Sequence, residues 1–143
     1  MKISTKGRYG LRALIDLAIN IDSENVSIKS ISERQEISER YLEQIFSLLR
    51  KAGIIIGRKG AQGGYSFGKE IHDLTILEIL KVLEGDNIFI DINDKAENEL
   101  EDFINKNLWN DINKSIENYF NCITLEELVD NYKKSKDTLI YYI

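Results

Sequence analysis

One cysteine, one histidine and no proline occur among the 143 residues. A single thiol, Cys122, rules out a disulfide within the chain. It also leaves no cysteine pair and no Cys/His cluster with metal-ligand spacing. His72 stands alone after a stretch of strand character and reads as a surface residue. Cys122 follows an aromatic-rich helix end and reads as a small buried hydrophobe. With no base, nucleophile or metal set in view, the sequence predicts neither an enzyme nor a bound cofactor. No apolar run has the form of a signal peptide or the length of a membrane span, so a cytoplasmic protein is expected. The missing proline, with abundant Ile, Lys and Asn, is the compositional mark of an AT-rich bacterial genome.

A net positive charge is also lacking: the balance is −5, which argues against nucleic acid until its distribution is considered. Residues 1–70 carry 12 Lys+Arg against 8 Asp+Glu, a balance of +4. Residues 71–143 carry 7 against 16, a balance of −9. DNA responds to the local field, so a basic front half and an acidic remainder suit a nucleic-acid binder.

Apolar residues three and four apart predict an amphipathic helix over 5–21, capped by Ser4 or Thr5. Asp22 to Asn25 break it. Ser27 caps a second helix over 28–35, with Ile28 and Ile31 inward. Ser38 caps a third, with Glu39 in its first turn and Tyr41 or Leu42, Ile45, Leu48 and Leu49 buried. This helix stops near Gly53, a residue suited to a left-handed cap. The β-branched run Ile54–Ile56 and the returning Tyr65–Phe67 predict a hairpin around the glycine-rich turn 60–64. The motif Thr75-Ile-Leu-Glu78 opens a fourth helix to about Glu84. From about Lys95 to Asn121 one long helix is expected, because Leu100, Ile104, Leu108, Ile112, Ile116 and Phe120 recur every four residues. Phe103, Trp109 and Tyr119 widen that stripe. So large an apolar face needs a partner surface, and a second copy of the same helix is the natural one. Thr124-Leu-Glu-Glu127 starts a short last helix, and residues 138–143 form a β-prone apolar tail.

Two short helices, a break between them and a basic glycine-rich hairpin describe a winged helix-turn-helix. In that arrangement the start of the second helix meets base edges and the hairpin lies on the backbone. The base-reading candidates are Ser38, Glu39, Arg40, Glu43 and Gln44. Arg40 can donate two bonds to guanine, Gln44 can pair with adenine, and Glu43 can accept from cytosine or reject wrong sites by repelling phosphate. The competing reading of Arg40 and Gln44 is a solvated helix face. Arg58 and Lys59 are candidates for phosphate or minor-groove contact, on a turn whose glycines permit close approach. A nucleotide-binding loop is disfavoured because no Gly-Lys-Ser/Thr follows. Lys2, Lys6, Arg8 and Arg12 form a basic patch suited to phosphates.

Three segments carry a family resemblance: Met1-Lys-Ile-Ser-Thr-Lys-Gly-Arg-Tyr-Gly10, Ser38-Glu-Arg-Tyr-Leu-Glu-Gln44 and Arg58-Lys-Gly-Ala-Gln-Gly-Gly-Tyr65. With them the chain resembles, over its full length, the bacterial Rrf-two winged-helix transcription regulators. The resemblance implies a mainly α fold with a small β-hairpin wing, divided into a winged helix-turn-helix DNA-binding domain over 1–85 and a dimerisation helix with a C-terminal partner-binding tail over 86–143. It implies a homodimer on double-stranded operator DNA. Ser27, Tyr41, Arg50, Gly60, Gly63, Gly64 and Tyr65 thereby join the candidate DNA-contacting set. Leu100, Ile104, Leu108, Trp109, Ile112, Ile116, Tyr119 and Phe120 form the candidate dimer interface.

One branch of the family holds an iron–sulfur cluster on three cysteines between the fourth helix and the dimer helix. The corresponding stretch here, about residues 86–107, has no cysteine. The resemblance is nearer to the branch that represses cysteine and sulfur metabolism genes in complex with cysteine synthase (O-acetylserine thiol-lyase). Tyr141, Tyr142 and Ile143, ending in a free carboxylate, are the candidate synthase-binding residues, and the competing reading is a tail that packs on its own dimer. The alternatives are a redox- or small-molecule-responsive regulator of the same family, and a protein-interaction adaptor without operator binding.

Overall fold

The computed structural model describes residues 3–22, 26–60, 63–86, 89–92 and 95–141, and for 138–141 the backbone alone. Lys2, Tyr142 and Ile143, named above as candidates, lie outside the described residues. Three helices come first: α1 (Thr5–Asn20), α2 (Ile28–Gln35) and α3 (Glu39–Lys51). A hairpin follows, made of β1 (Ile55–Arg58) and β2 (Gly64–Phe67), antiparallel with Ile55 opposite Phe67 and Arg58 opposite Gly64. Then come α4 (Ile76–Glu84), α5 (Glu99–Ile104), a π-helical turn (Asn105–Trp109), α6 (Asn110–Asn121) and α7 (Leu125–Tyr141).

The apolar face of α3, Leu42, Ile45, Phe46 and Leu49, is buried against Ala13, Leu14 and Leu17 of α1 and Ile79, Leu80 and Leu83 of α4. The helix-turn-helix core therefore sits between α1 and α4. The start of α7 closes it from the far side, with Leu125 and Val129 buried. The loop before α7 is stitched to the residues preceding α4: Ile76 donates its backbone N–H to Ile123 (2.9 Å), and Leu125 to Leu74 (2.8 Å).

One charged group lies inside this core. Asp16 is 4% exposed on α1. Its carboxylate accepts from Arg34 Nε (3.0 Å) and a terminal guanidinium nitrogen (2.8 Å), and from Gln35 Nε2 (2.9 Å). A carboxylate this dry is tolerable only when paired and fully hydrogen-bonded. The pair fixes the end of α2 on α1. Arg12 adds a second tie by donating to the Gln35 carbonyl while its guanidinium lies over the Tyr9 ring.

The N-terminus of α1 is capped from a distance. Ser4 makes no side-chain cap of its own. Instead Glu84 Oε1, at the end of α4, accepts from the backbone N–H of Ser4 and Gly7 (3.0 Å each) and from the Ser4 hydroxyl (2.6 Å). A carboxylate is favoured at the positive end of a helix. Gly7 makes room for it, since a Cβ there would stand 2.4 Å from Glu84 Oε1.

Several expectations are corrected. The long helix begins at Glu99, where Asn98 caps it, and not at Lys95. It is also not a plain α-helix: Asn110 donates to the Asn105 carbonyl five residues back. The last helix is not short. It runs 17 residues, so the expected extended tail is helical as far as Tyr141. Thr138 and Ile140, β-prone by type, are carried along by a helix already nucleated at the Thr124 cap, whose hydroxyl accepts from Glu127 N–H. The first strand is Ile55–Arg58, displaced by one residue, because Ile54 is spent closing the α3 cap by donating to Leu49. Cys122 is exposed at the C-cap of α6 and not buried.

Replacing Arg34 by Met keeps the aliphatic stem and leaves the Asp16 carboxylate with Gln35 as its donor from α2. The Arg34 side chain is 32% exposed, so the cost is discounted to about 1–2 kcal/mol. Urea unfolding of the variant is expected to show a lowered midpoint at an unchanged slope.

Candidate nucleic-acid interface

Ser38 sets the start of α3. Its backbone is extended, and its hydroxyl accepts from Tyr41 N–H at 3.1 Å, which leaves the following turn to face outward. Glu36 provides the reversal between α2 and α3 with φ 57°, a left-handed conformation that a non-glycine residue rarely adopts. Ser38, Glu39, Arg40, Glu43 and Gln44 are all exposed on the side of α3 opposite the buried Leu42 and Ile45.

The wing is fixed to the same unit. Tyr65 N–H donates to the Val26 carbonyl at 2.8 Å, making a bridge between β2 and the entry to α2. The Tyr65 ring meets Phe46 of α3 edge-on, 4.9 Å between centroids. Gly64 is needed at this contact, since a Cβ there would lie 2.9 Å from the Val26 carbonyl oxygen. Arg58, Lys59 and Gly60 then project into solvent. Among the described residues, no carboxylate pairs with Arg40, Arg58 or Lys59. Exposed cations on α3 and the wing that make no ion pair leave their charge available to an anionic polymer.

The remaining candidates are placed less directly. Lys6 is half-buried on α1, and Arg8 is exposed but donates to the Ile3 carbonyl. Tyr41 is half-buried, its hydroxyl 3.0 Å from Thr5 Oγ1 and its ring edge-on to Tyr9, so it ties α3 to α1. The Ser27 hydroxyl is occupied in a capping box with Ser30. Gly63, Gly64 and Tyr65 are half-buried at the turn end of the hairpin. Arg50 is exposed at the far end of α3, about 18 Å from Ser38 along the axis. Lys29 went unnoticed in the sequence: it is exposed in the first turn of α2, beside the wing bridge at Val26. The signal for it was the Ser27 cap, which places the next turn at a surface.

On the long helix, Leu100 is 67%, Phe103 61%, Leu108 45% and Trp109 37% exposed, and Tyr119 is exposed too. Ile104 and Ile112 are half-buried. Ile116 and Phe120 already pack on the chain's own core, Phe120 stacking on Phe89 at 5.8 Å. Among the described residues, no helix is long and apolar enough to cross a membrane.

The Rrf2 family model, described as an iron-dependent transcriptional regulator, matches residues 3–131. The HTH-type transcriptional regulator CymR of Bacillus subtilis is 37% identical over the whole of both chains. Its solved structure superposes with a TM-score of 0.78, covering 92% of this chain and 98% of that one. The regulator IscR of Cronobacter sakazakii is 36% identical over 92% of this chain and 82% of its own. The structure of T. potens IscR gives a TM-score of 0.75 at 38% identity, covering 94% and 90%. Protein iron–sulfur clusters are held mainly by several cysteine thiolates. One exposed cysteine does not fit that requirement. Among the described residues no three His, Cys, Asp or Glu side chains are placed to hold a metal ion. A helix-turn-helix, a wing and a match along nearly the whole chain agree: the protein belongs to the Rrf2 family of DNA-binding transcriptional regulators and is not an enzyme.

Proposed function

We propose that the protein is a sequence-specific repressor of cysteine and sulfur metabolism genes, acting as a homodimer in complex with cysteine synthase. The observation that carries the DNA half of this reading is the outward-facing turn Ser38–Gln44 beside the unpaired wing cations Arg58 and Lys59. Full-length similarity to CymR, whose structure is described as that of the global cysteine regulator of B. subtilis, supports the choice of target genes. Residues 1–85 then act as the DNA-binding part, and residues 86–143 as the pairing helix and partner-binding tail. Arg40, Glu43 and Gln44 read base edges. Ser38 and Glu39 shape the start of the reading helix. Lys2, Lys6, Arg8, Ser27, Arg58, Lys59 and the backbone at Gly60, Gly63 and Gly64 sit on phosphates or beside them. Arg50 acts only through long-range attraction, and Tyr41 and Tyr65 hold the reading surface in place.

The pairing half rests on the uncovered apolar stripe. Leu100, Leu108, Trp109 and Tyr119 present more exposed apolar surface than a monomeric helix keeps in water. A second copy laid along it buries Ile104 and Ile112 as well, and extends the contact to the edges of Ile116 and Phe120. The synthase half rests on the sequence of the tail, where Tyr141, Tyr142 and Ile143 form an aromatic and apolar recognition segment.

Fluorescence anisotropy on the chain's own promoter tests the DNA half. Arg40→Ala is expected to cost about 1–3 kcal/mol on the preferred sequence and to relax discrimination at one base pair. Lys6→Ala is expected to weaken all sequences alike and to reduce the salt slope by about 1. Trp109→Glu tests pairing: sedimentation velocity is expected to show a monomer, with operator affinity falling in step. Deleting Ile143 tests the tail, with loss of cysteine synthase capture and an unchanged dimer as the expected result.

A further inference from the structure

After Gly85, which turns with φ 90°, the chain lies across α6 and encloses a cleft of about 300 Å³. Phe89 and Ile90 form one wall, and Asn110, Lys114 and Glu117 of α6 form the other, with Asp86 at the rim. The wall is held in place by Asn113. Its Oδ1 accepts from Ile90 N–H at 2.9 Å, and its Nδ2 donates to the Ile90 carbonyl at 3.0 Å. This two-way clasp satisfies both backbone groups of Ile90 and makes the cleft a built feature, independent of any occupant.

The charges in the cleft are unusual. Asn110, Asn113, Lys114 and Glu117 share one face of α6 by their spacing of three and four. This face adjoins the apolar stripe of Ile112, Ile116 and Tyr119 without coinciding with it. Among the described residues, Lys114, Glu117 and Asp86 form no ion pair with each other or with any neighbour. The cleft thus offers one ammonium and two carboxylates, side-chain amide groups, and an apolar wall of Phe89 and Ile90, with Phe89 only 8% exposed. A ligand with a single charge satisfies one sign and faces repulsion from the other. A molecule carrying both charges, joined through a single carbon, satisfies both.

We propose that this cleft binds a free α-amino acid as its zwitterion. The ligand's carboxylate meets Lys114, its ammonium meets Glu117 and Asp86, and a short side chain lies on Phe89 and Ile90. The volume is at the small end of ligand sites, which suits a small molecule. The site is separate from the Ser38–Gln44 surface, so the inference does not depend on operator recognition.

Purified full-length protein is titrated calorimetrically with each proteinogenic amino acid, with butylamine and butyrate as single-charge controls, and thermal unfolding is followed in parallel. At least one amino acid is expected to bind with one site per chain and raise Tm, while neither control does. Lys114→Ala and Glu117→Ala are each expected to weaken binding about tenfold or more with unchanged far-UV circular dichroism, and Lys114→Arg to retain most of it. Three results overturn the proposal: no amino acid binding up to about 10 mM, a single-charge control binding as tightly, or full affinity in both alanine variants. None of the three changes the operator titration, so this inference and the repressor reading fail separately.

Discussion

The Asp16 carboxylate decides where the reading helix points. It sits 4% exposed on α1 and is held by the last two residues of α2, Arg34 and Gln35. Those residues lead directly into the left-handed Glu36 and the Ser38 cap. A buried ion pair is a poor source of net stability, because desolvation offsets most of the attraction. Its value here is directional. Apolar contacts between two helices tolerate sliding and rotation, whereas a bidentate guanidinium–carboxylate contact has one geometry. With α2 locked in azimuth on α1, the turn that follows projects α3 in a single orientation.

The other long-range ties work in the same sense. Glu84 brings the end of α4 to the start of α1, and the Val26–Tyr65 bridge brings the wing to the start of α2. Each joins an element end to a distant element end. The core between them is plain Leu and Ile packing, which supplies cohesion without specifying angles. A regulator that must match the spacing of grooves on a stiff duplex needs those angles held, and polar contacts at element ends hold them.

Much of the architecture was legible in the sequence because it is written in local signals. Ser27, Ser38 and Thr75 are caps where their side-chain chemistry says they should be, and Gly53 takes the left-handed position. The outward face of α3 followed from the same periodicity that buried Leu42, Ile45 and Leu49. What was not legible is non-local. Nothing near Ser4 announces that Glu84, eighty residues away, caps its helix. Nothing around Asp16 announces that it is buried, since an Asp on an amphipathic helix is ordinarily solvated. Tyr41 could be read as a DNA contact or a core residue until its Thr5 and Tyr9 neighbours were seen. The helical course of residues 138–141 went unforeseen because β-propensity is a weak prior once a capped helix is already running.

The wide turn at Asn105–Trp109 bears on how the family diversifies. In a regular α-helix, positions four apart advance by about 40° of azimuth each time. A stripe written as Leu100, Ile104, Leu108, Ile112, Ile116 and Phe120 would therefore wind about halfway round the rod. One surplus residue in a single turn unwinds about 100° of that drift and returns the front knobs toward the side occupied by the rear ones. A homologue that gains or loses one residue in this segment changes the bearing of everything before it, by roughly a quarter of a revolution, while the rod's length hardly alters. An insertion or deletion at this one point would thus re-aim Leu100, Ile104 and Leu108 relative to Ile112 and Ile116, with no substitution in the stripe itself.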